Sequence, residues 1–119
     1  MLPKWAFGYI QSKERYVTQK ELIGVVGEYR HRELPLDCIV LDWKSWTGDL
    51  WGQKTFDPDR FPDPSRMTAD LHALNARLMV SIWPSMRSGG ANRQEMKDQG
   101  HLLGDQVTYN AFSAAARAC

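Results

Sequence analysis

Three short apolar runs recur along this chain at similar intervals, and that recurrence restricts the fold more than any other feature. They begin at Trp5, Cys38 and Leu78, spacings of 33 and 40 residues, which suit one strand, one helix and two connections. Cys38-Ile39-Val40-Leu41 is apolar without alternation, the pattern of a strand covered on both faces, as in a parallel sheet. Trp5 to Ile10 and Leu78 to Trp83 read as the flanking strands, the latter closed by Pro84. Between the runs the period becomes helical. Thr18 and Glu21 have capping-box spacing, and Leu22, Val25, Val26 and Tyr29 recur at i, i+3, i+4 and i+7. Gly24 and Gly27 each cost that helix about 1 kcal/mol relative to Ala, unless their small size admits a close neighbour. Pro35 ends it.

Asp63-Pro64 opens a second helix, Asp as cap and Pro at the first helical position, with Met67, Leu71 and Leu74 on its buried face. A short third helix is expected with Asn92 as cap, Glu95 as its box partner and Gly100 as its stop, and another opens at Ser113. The order β-α-β-α-β-(α)-α implies parallel strands joined by right-handed crossovers. A doubly wound sheet and a (β/α)8 barrel both satisfy it. A barrel takes about 250 residues, so 119 residues hold an arc of one. On the barrel closure the expected fold is α/β, a partial (β/α)8 TIM barrel comprising the first three βα units. Residues 1–119 then form a single fragment that stops before the fourth strand.

Composition excludes several classes of function. With 15 Lys+Arg against 14 Asp+Glu, a net charge of +1, the chain lacks the basic stripe that displaces counterions from nucleic acid, so no nucleic-acid partner is expected. The apolar runs are far shorter than the roughly 20 residues of a membrane span, and no membrane partner is expected. Cys38 and Cys119 form no framework or CxxC pair, and His31, His72 and His101 lack ligand spacing, so neither a metal nor a cofactor is expected. The missing signal segment and unpaired cysteines point to the cytoplasm.

In parallel α/β folds ligands bind at the carboxyl ends of the strands. There the sequence puts Phe7, then Asp42-Trp43 with Trp46, then Trp83. A loop of about 20 residues follows Asp42, long enough to suggest function. A carboxylate among indoles suits a carbohydrate: the carboxylate accepts from hydroxyls, and aromatic faces pack on the C–H face of a pyranose. The same residues have structural uses, since a strand-end Asp also caps loops and tryptophans also fill cores. No complete catalytic set is visible. Asp49, Asp57, Asp59 and Asp63 read as turn and cap residues, Ser88-Gly89-Gly90 as a flexible connection, and Lys13-Glu14-Arg15 as a solvated charge run.

The segments from Trp5 to Tyr16, Pro35 to Trp43, Phe56 to Pro64, Leu78 to Pro84 and Thr108 to Phe112 resemble, in order, the start of the catalytic barrel in family 31 of the glycoside hydrolases. The wording is nearest its bacterial α-xylosidase-like members. The resemblance implies the barrel closure, and a retaining α-glycosidase of α-xylosidase or α-glucosidase type, acting by double displacement on terminal α-linked residues of an oligosaccharide or glycoside. It gives Asp42 the task of accepting hydrogen bonds from the sugar in the −1 subsite, makes Trp83 a wall of that subsite, and adds Trp43, Trp46 and Phe7 as further walls. The family's nucleophile and general acid would lie beyond Cys119, so no catalytic residue is assigned and the fragment alone is expected to be inactive. The alternative is a non-catalytic α/β carbohydrate-binding or interaction module. Open sheet edges make self-association a further expectation.

Overall fold

A computed structural model of the chain describes residues 1–118. It contains β1 (Ile10–Gln11), α1 (Gln19–His31), β2 (Cys38–Leu41), α2 (Pro64–Ala73), β3 (Arg77–Val80), α3 (Ala91–Asp98) and α4 (Ala114–Ala118). The three strands form one parallel sheet in the order β1-β2-β3. Ile10 pairs with Cys38, and Cys38 to Leu41 pair in register with Arg77 to Val80. The residues fall into two compact units, one made of 1–45 with 56–81, the other of 46–55 with the residues from Ile82 onward.

The first unit holds the sheet, α1 and α2. Its core joins Leu22 and Val26 of α1, Met67 and Leu71 of α2, and Ile39 and Leu41 of β2, with Tyr16, Leu36, Phe61 and Ala76 closing the gaps. Each fully buried aliphatic chain contributes roughly 1.5–3 kcal/mol through the surface it removes from water. Ile39 and Leu41 therefore face the helices. Strand alternation turns Cys38 and Val40 to the other face, and Asp42 follows in the same phase. On that face Ile10 and Met79, the partners of Cys38 and Val40, stay 37% and 39% exposed.

Helix starts follow local chemistry. Thr18 Oγ1 accepts from Glu21 N at 3.1 Å, as expected, but Glu21 reaches back to Val17 N (2.7 Å) instead of Thr18 N. Asp63 caps α2 by accepting from Arg66 N at 2.8 Å, with Pro64 in the first turn. Gly24 and Gly27 admit no close neighbour: a Cβ at either would meet nothing within 4 Å.

Three expectations need correction. Trp5 to Ile10 is not a strand. Lys4–Phe7 form a 3-10 turn with no buried residue, so no core surface draws those side chains into alternation. Pairing starts only where Asp37 grips Tyr9, its N donating to Tyr9 O at 2.9 Å and its Oδ2 accepting from Tyr9 N at 3.1 Å. Gly8 lets Asp37 in, since a Cβ there would lie 2.0 Å from Asp37 Oδ2. The third strand is likewise shorter, ending at Val80 rather than Trp83, because Ser81 N takes the Leu41 carbonyl (2.9 Å) and β2 ends there. Finally, Gly90 rather than Asn92 caps α3. Asn92 Oδ1 instead accepts from Lys54 N at 2.7 Å, which leaves it no part in a box with Glu95.

Candidate functional site

In the first unit, Asp42 stands immediately after β2, half-buried, on the sheet face opposite the helices. Its carboxylate makes no hydrogen bond or ion pair among the described residues. No cap or loop amide uses it, unlike Asp57 and Asp63, whose side chains close turns. A half-buried carboxylate that stabilises nothing in the fold can accept from an incoming ligand.

The neighbouring Trp43 is also half-buried. Its Nε1 donates to Glu14 Oε1 at 3.1 Å, and the Arg15 guanidinium lies 5.5 Å from its ring centroid. Lys13 of the same connection pairs with Glu21 at 2.9 Å. The exit of β1 thus contributes Glu14 and Arg15 beside Trp43. Phe7 is elsewhere. It precedes β1, at the amino end of that strand, and is 75% exposed. A strand starting at Trp5 would carry Phe7 towards its carboxyl end, whereas pairing that begins at Ile10 leaves Phe7 at the amino end. Lys13 and Glu14 stay exposed, as a solvated run would be, with Glu14 also accepting from Trp43.

The second unit collects tryptophans. Trp46 is 3% exposed and packs edge-on against Trp51, centroids 5.9 Å apart. Trp51 in turn meets Trp83 at 4.8 Å with the rings tilted by 50°. Trp83 remains 40% exposed, whereas Trp46 serves as a buried support. Lys54 ties this cluster down: its Nζ donates to Gly52 O at 2.6 Å and also to the Trp83 carbonyl. Burial pushes the Lys54 ammonium below the usual lysine value. The length of the loop after Asp42 points to function, but no sequence pattern sets Trp51 or Lys54 apart within it, because spacing in an irregular loop carries no information about packing. Among the described residues no three His, Cys, Asp or Glu side chains converge as a metal site would require.

The TIM-barrel domain of the glycosyl hydrolases of family 31 matches residues 1–116. The chain belongs to that family. Its open parallel sheet is therefore part of a TIM barrel, as expected. An α-xylosidase of Saccharolobus solfataricus is 41% identical over 117 residues, covering 98% of this chain and 16% of its own length. Among solved structures, the family 31 α-xylosidase of Xanthomonas citri superposes with a TM-score of 0.89 at 41% identity, over 99% of this chain and 14% of that one. A soil-metagenome α-xylosidase of the family, complexed with xylose, gives 0.86 at 36% identity over 98% of this chain and 19% of that one. The family 31 chain thus spans less than one fifth of the length of each of these relatives. Among the described residues no helix is long and apolar enough to cross a membrane.

Proposed function

We propose that the protein is a retaining α-glycosidase of α-xylosidase or α-glucosidase type, and that residues 1–119 furnish part of its −1 sugar subsite. The observation that carries the reading is the half-buried Asp42 carboxylate, placed directly after β2 with no partner among the described residues. Family membership and the sugar complex of a relative support it. In this reading Asp42 accepts hydrogen bonds from two ring hydroxyls of the terminal residue, and its fixed position selects their stereochemistry. Trp43 and Trp83 offer aromatic faces to the sugar C–H surface. Trp46 backs the tryptophan cluster, and Phe7 is the remaining candidate wall, exposed in the turn before β1. Double displacement needs a carboxylate nucleophile and a carboxylic acid about 5–5.5 Å apart. Residues outside this chain supply that pair.

The test is hydrolysis of aryl α-xylosides and α-glucosides by the full-length protein, with the anomer of the first-formed sugar followed by NMR. Retention is expected. Asp42→Ala should lower kcat/KM by two decades or more through lost hydroxyl contacts. Near-normal activity would remove Asp42 from the subsite, and an inverted product would refute double displacement.

A further inference from the structure

The second unit contains a cavity of about 280 Å3 lined by Trp51, Ser85, Met86, Arg87 and Val107. Main-chain bonds from three separate stretches hold its walls: Arg87 N donates to Trp51 O at 2.9 Å, Met86 N to Val107 O at 2.8 Å, and Tyr109 N to Pro84 O at 3.1 Å. Gly52 allows this approach, because at φ +76° a Cβ would lie 1.9 Å from Ser85 O. Met86 is 1% exposed and forms the buried apolar part of the lining. The Ser85 hydroxyl and the Arg87 guanidinium make no hydrogen bond or ion pair among the described residues. The cavity therefore combines an indole, two aliphatic side chains and two uncommitted polar groups in a preformed frame.

We propose that this cavity binds a single neutral pyranose unit. Its volume lies just below the ~300–1,000 Å3 typical of small-molecule sites, which limits it to about one ring. Trp51 and Val107 match the apolar C–H face of a sugar, with Met86 buried in the wall, while Ser85 and Arg87 can serve its hydroxyls. An anion is the poorer match, since Arg87 is the one charged residue in the lining and its charge is exposed to solvent screening. The choice of sugar as ligand rests on the glycosidase reading; the cavity and its binding do not depend on hydrolysis.

The experiment follows Met86 in the full-length protein, labelled at methionine methyl groups, while xylose or glucose is titrated in. Saturable shifts at the Met86 methyl are expected. Arg87→Gln should weaken that response about threefold to tenfold, and Val107→Trp, which fills the cavity, should abolish it while the circular dichroism spectrum is retained. A Met86 methyl that ignores both sugars, or shifts that survive Val107→Trp, would overturn the proposal. So would inorganic phosphate acting at lower concentration than either sugar, which would make this an anion site. Hydrolysis of aryl glycosides is scored separately, so failure of the glycosidase reading and failure of the cavity are told apart.

Discussion

At the scale of single residues, the positions that matter most are those where a side chain is unused or forbidden. Asp42 and Arg87 are unused by the fold and are therefore open to ligands. Gly52 is the forbidden case. Its φ of +76° disfavours any L side chain, and a Cβ would collide with the Ser85 carbonyl. Gly52→Ala should cost about 1–2 kcal/mol from the left-handed backbone alone, more with the collision, and should weaken sugar binding beside Trp51. Chemical denaturation of the full-length protein measures the first, and the Met86 methyl titration the second. Little of this was readable beforehand. Asp42 followed a buried strand and could be singled out from that alone, whereas Arg87 and Gly52 acquire meaning only from Trp51, Ser85 and Val107, which reach them through long-range contacts.

At the scale of elements, strands and helices were legible where burial and capping coincide in sequence. Cys38–Leu41 and Pro64–Ala73 fell where apolar continuity and the Asp63-Pro64 pair put them. The first strand was misread because aromatic content stood in for burial: Trp5 and Phe7 are apolar, yet the turn they occupy buries neither. The joins between elements were less legible still, and Arg30 illustrates why. From the end of α1 its guanidinium donates to the carbonyls of Leu74 (2.7 Å), Leu36 (2.6 Å) and Asn75 (3.1 Å), fastening α1 to the end of α2 and the approach to β2. In the sequence Arg30 is one charge among Glu28, His31, Arg32 and Glu33, a pattern that a solvated last turn also shows. Arg30→Met should destabilise the protein by about 2–3 kcal/mol, since several carbonyls lose a charged donor together. A loss of unfolding free energy less than about a third of that size, measured by chemical denaturation, would show that these bonds are offset by water. Asp57 holds the turn before α2 in a comparable way, accepting from Asp59 N at 3.0 Å and pairing with Arg60 at 3.2 Å. Burial pushes its carboxyl up, but the Arg60 guanidinium and the amides of Arg60 and Asp59 outweigh it and hold it below the usual carboxylate value. A lowered pKa means that the folded state binds its proton later than the unfolded state. Asp57 therefore stabilises the fold above about pH 4 and loses that contribution as the pH falls through its folded pKa. Asp57→Asn should be less stable than the unaltered protein at pH 7, with the gap narrowing at pH 3. A gap of constant size would show that the pair carries no such linkage.

At the scale of the whole molecule, the sheet itself supplies the strongest constraint. β1 and β3 each pair with β2 alone among the described residues, so each presents one unpaired edge of backbone donors and acceptors. The face that Asp42 shares is only partly covered, with Ile10 and Met79 more than one third exposed. In a closed barrel every strand has two neighbours and that face turns inward. The recurrence of βα units made a parallel α/β sheet legible, because βα periodicity is a local signal, while the choice of barrel over doubly wound sheet rested on the family resemblance. What lies on the open edges was not legible, because strand pairing across a barrel joins residues far apart in sequence. The 119-residue chain, prepared alone, should therefore self-associate at micromolar concentration, either edge to edge or through Ile10 and Met79. Size-exclusion chromatography with light scattering checks this. Masses above 13.6 kDa that rise with concentration are expected, and Met79→Lys, which adds a charge beside an open edge, should lower them. A concentration-independent monomer that unfolds cooperatively would show instead that two parallel edges and a half-covered face suffice for an independent fold. In that case the binding-module reading would gain on the glycosidase reading.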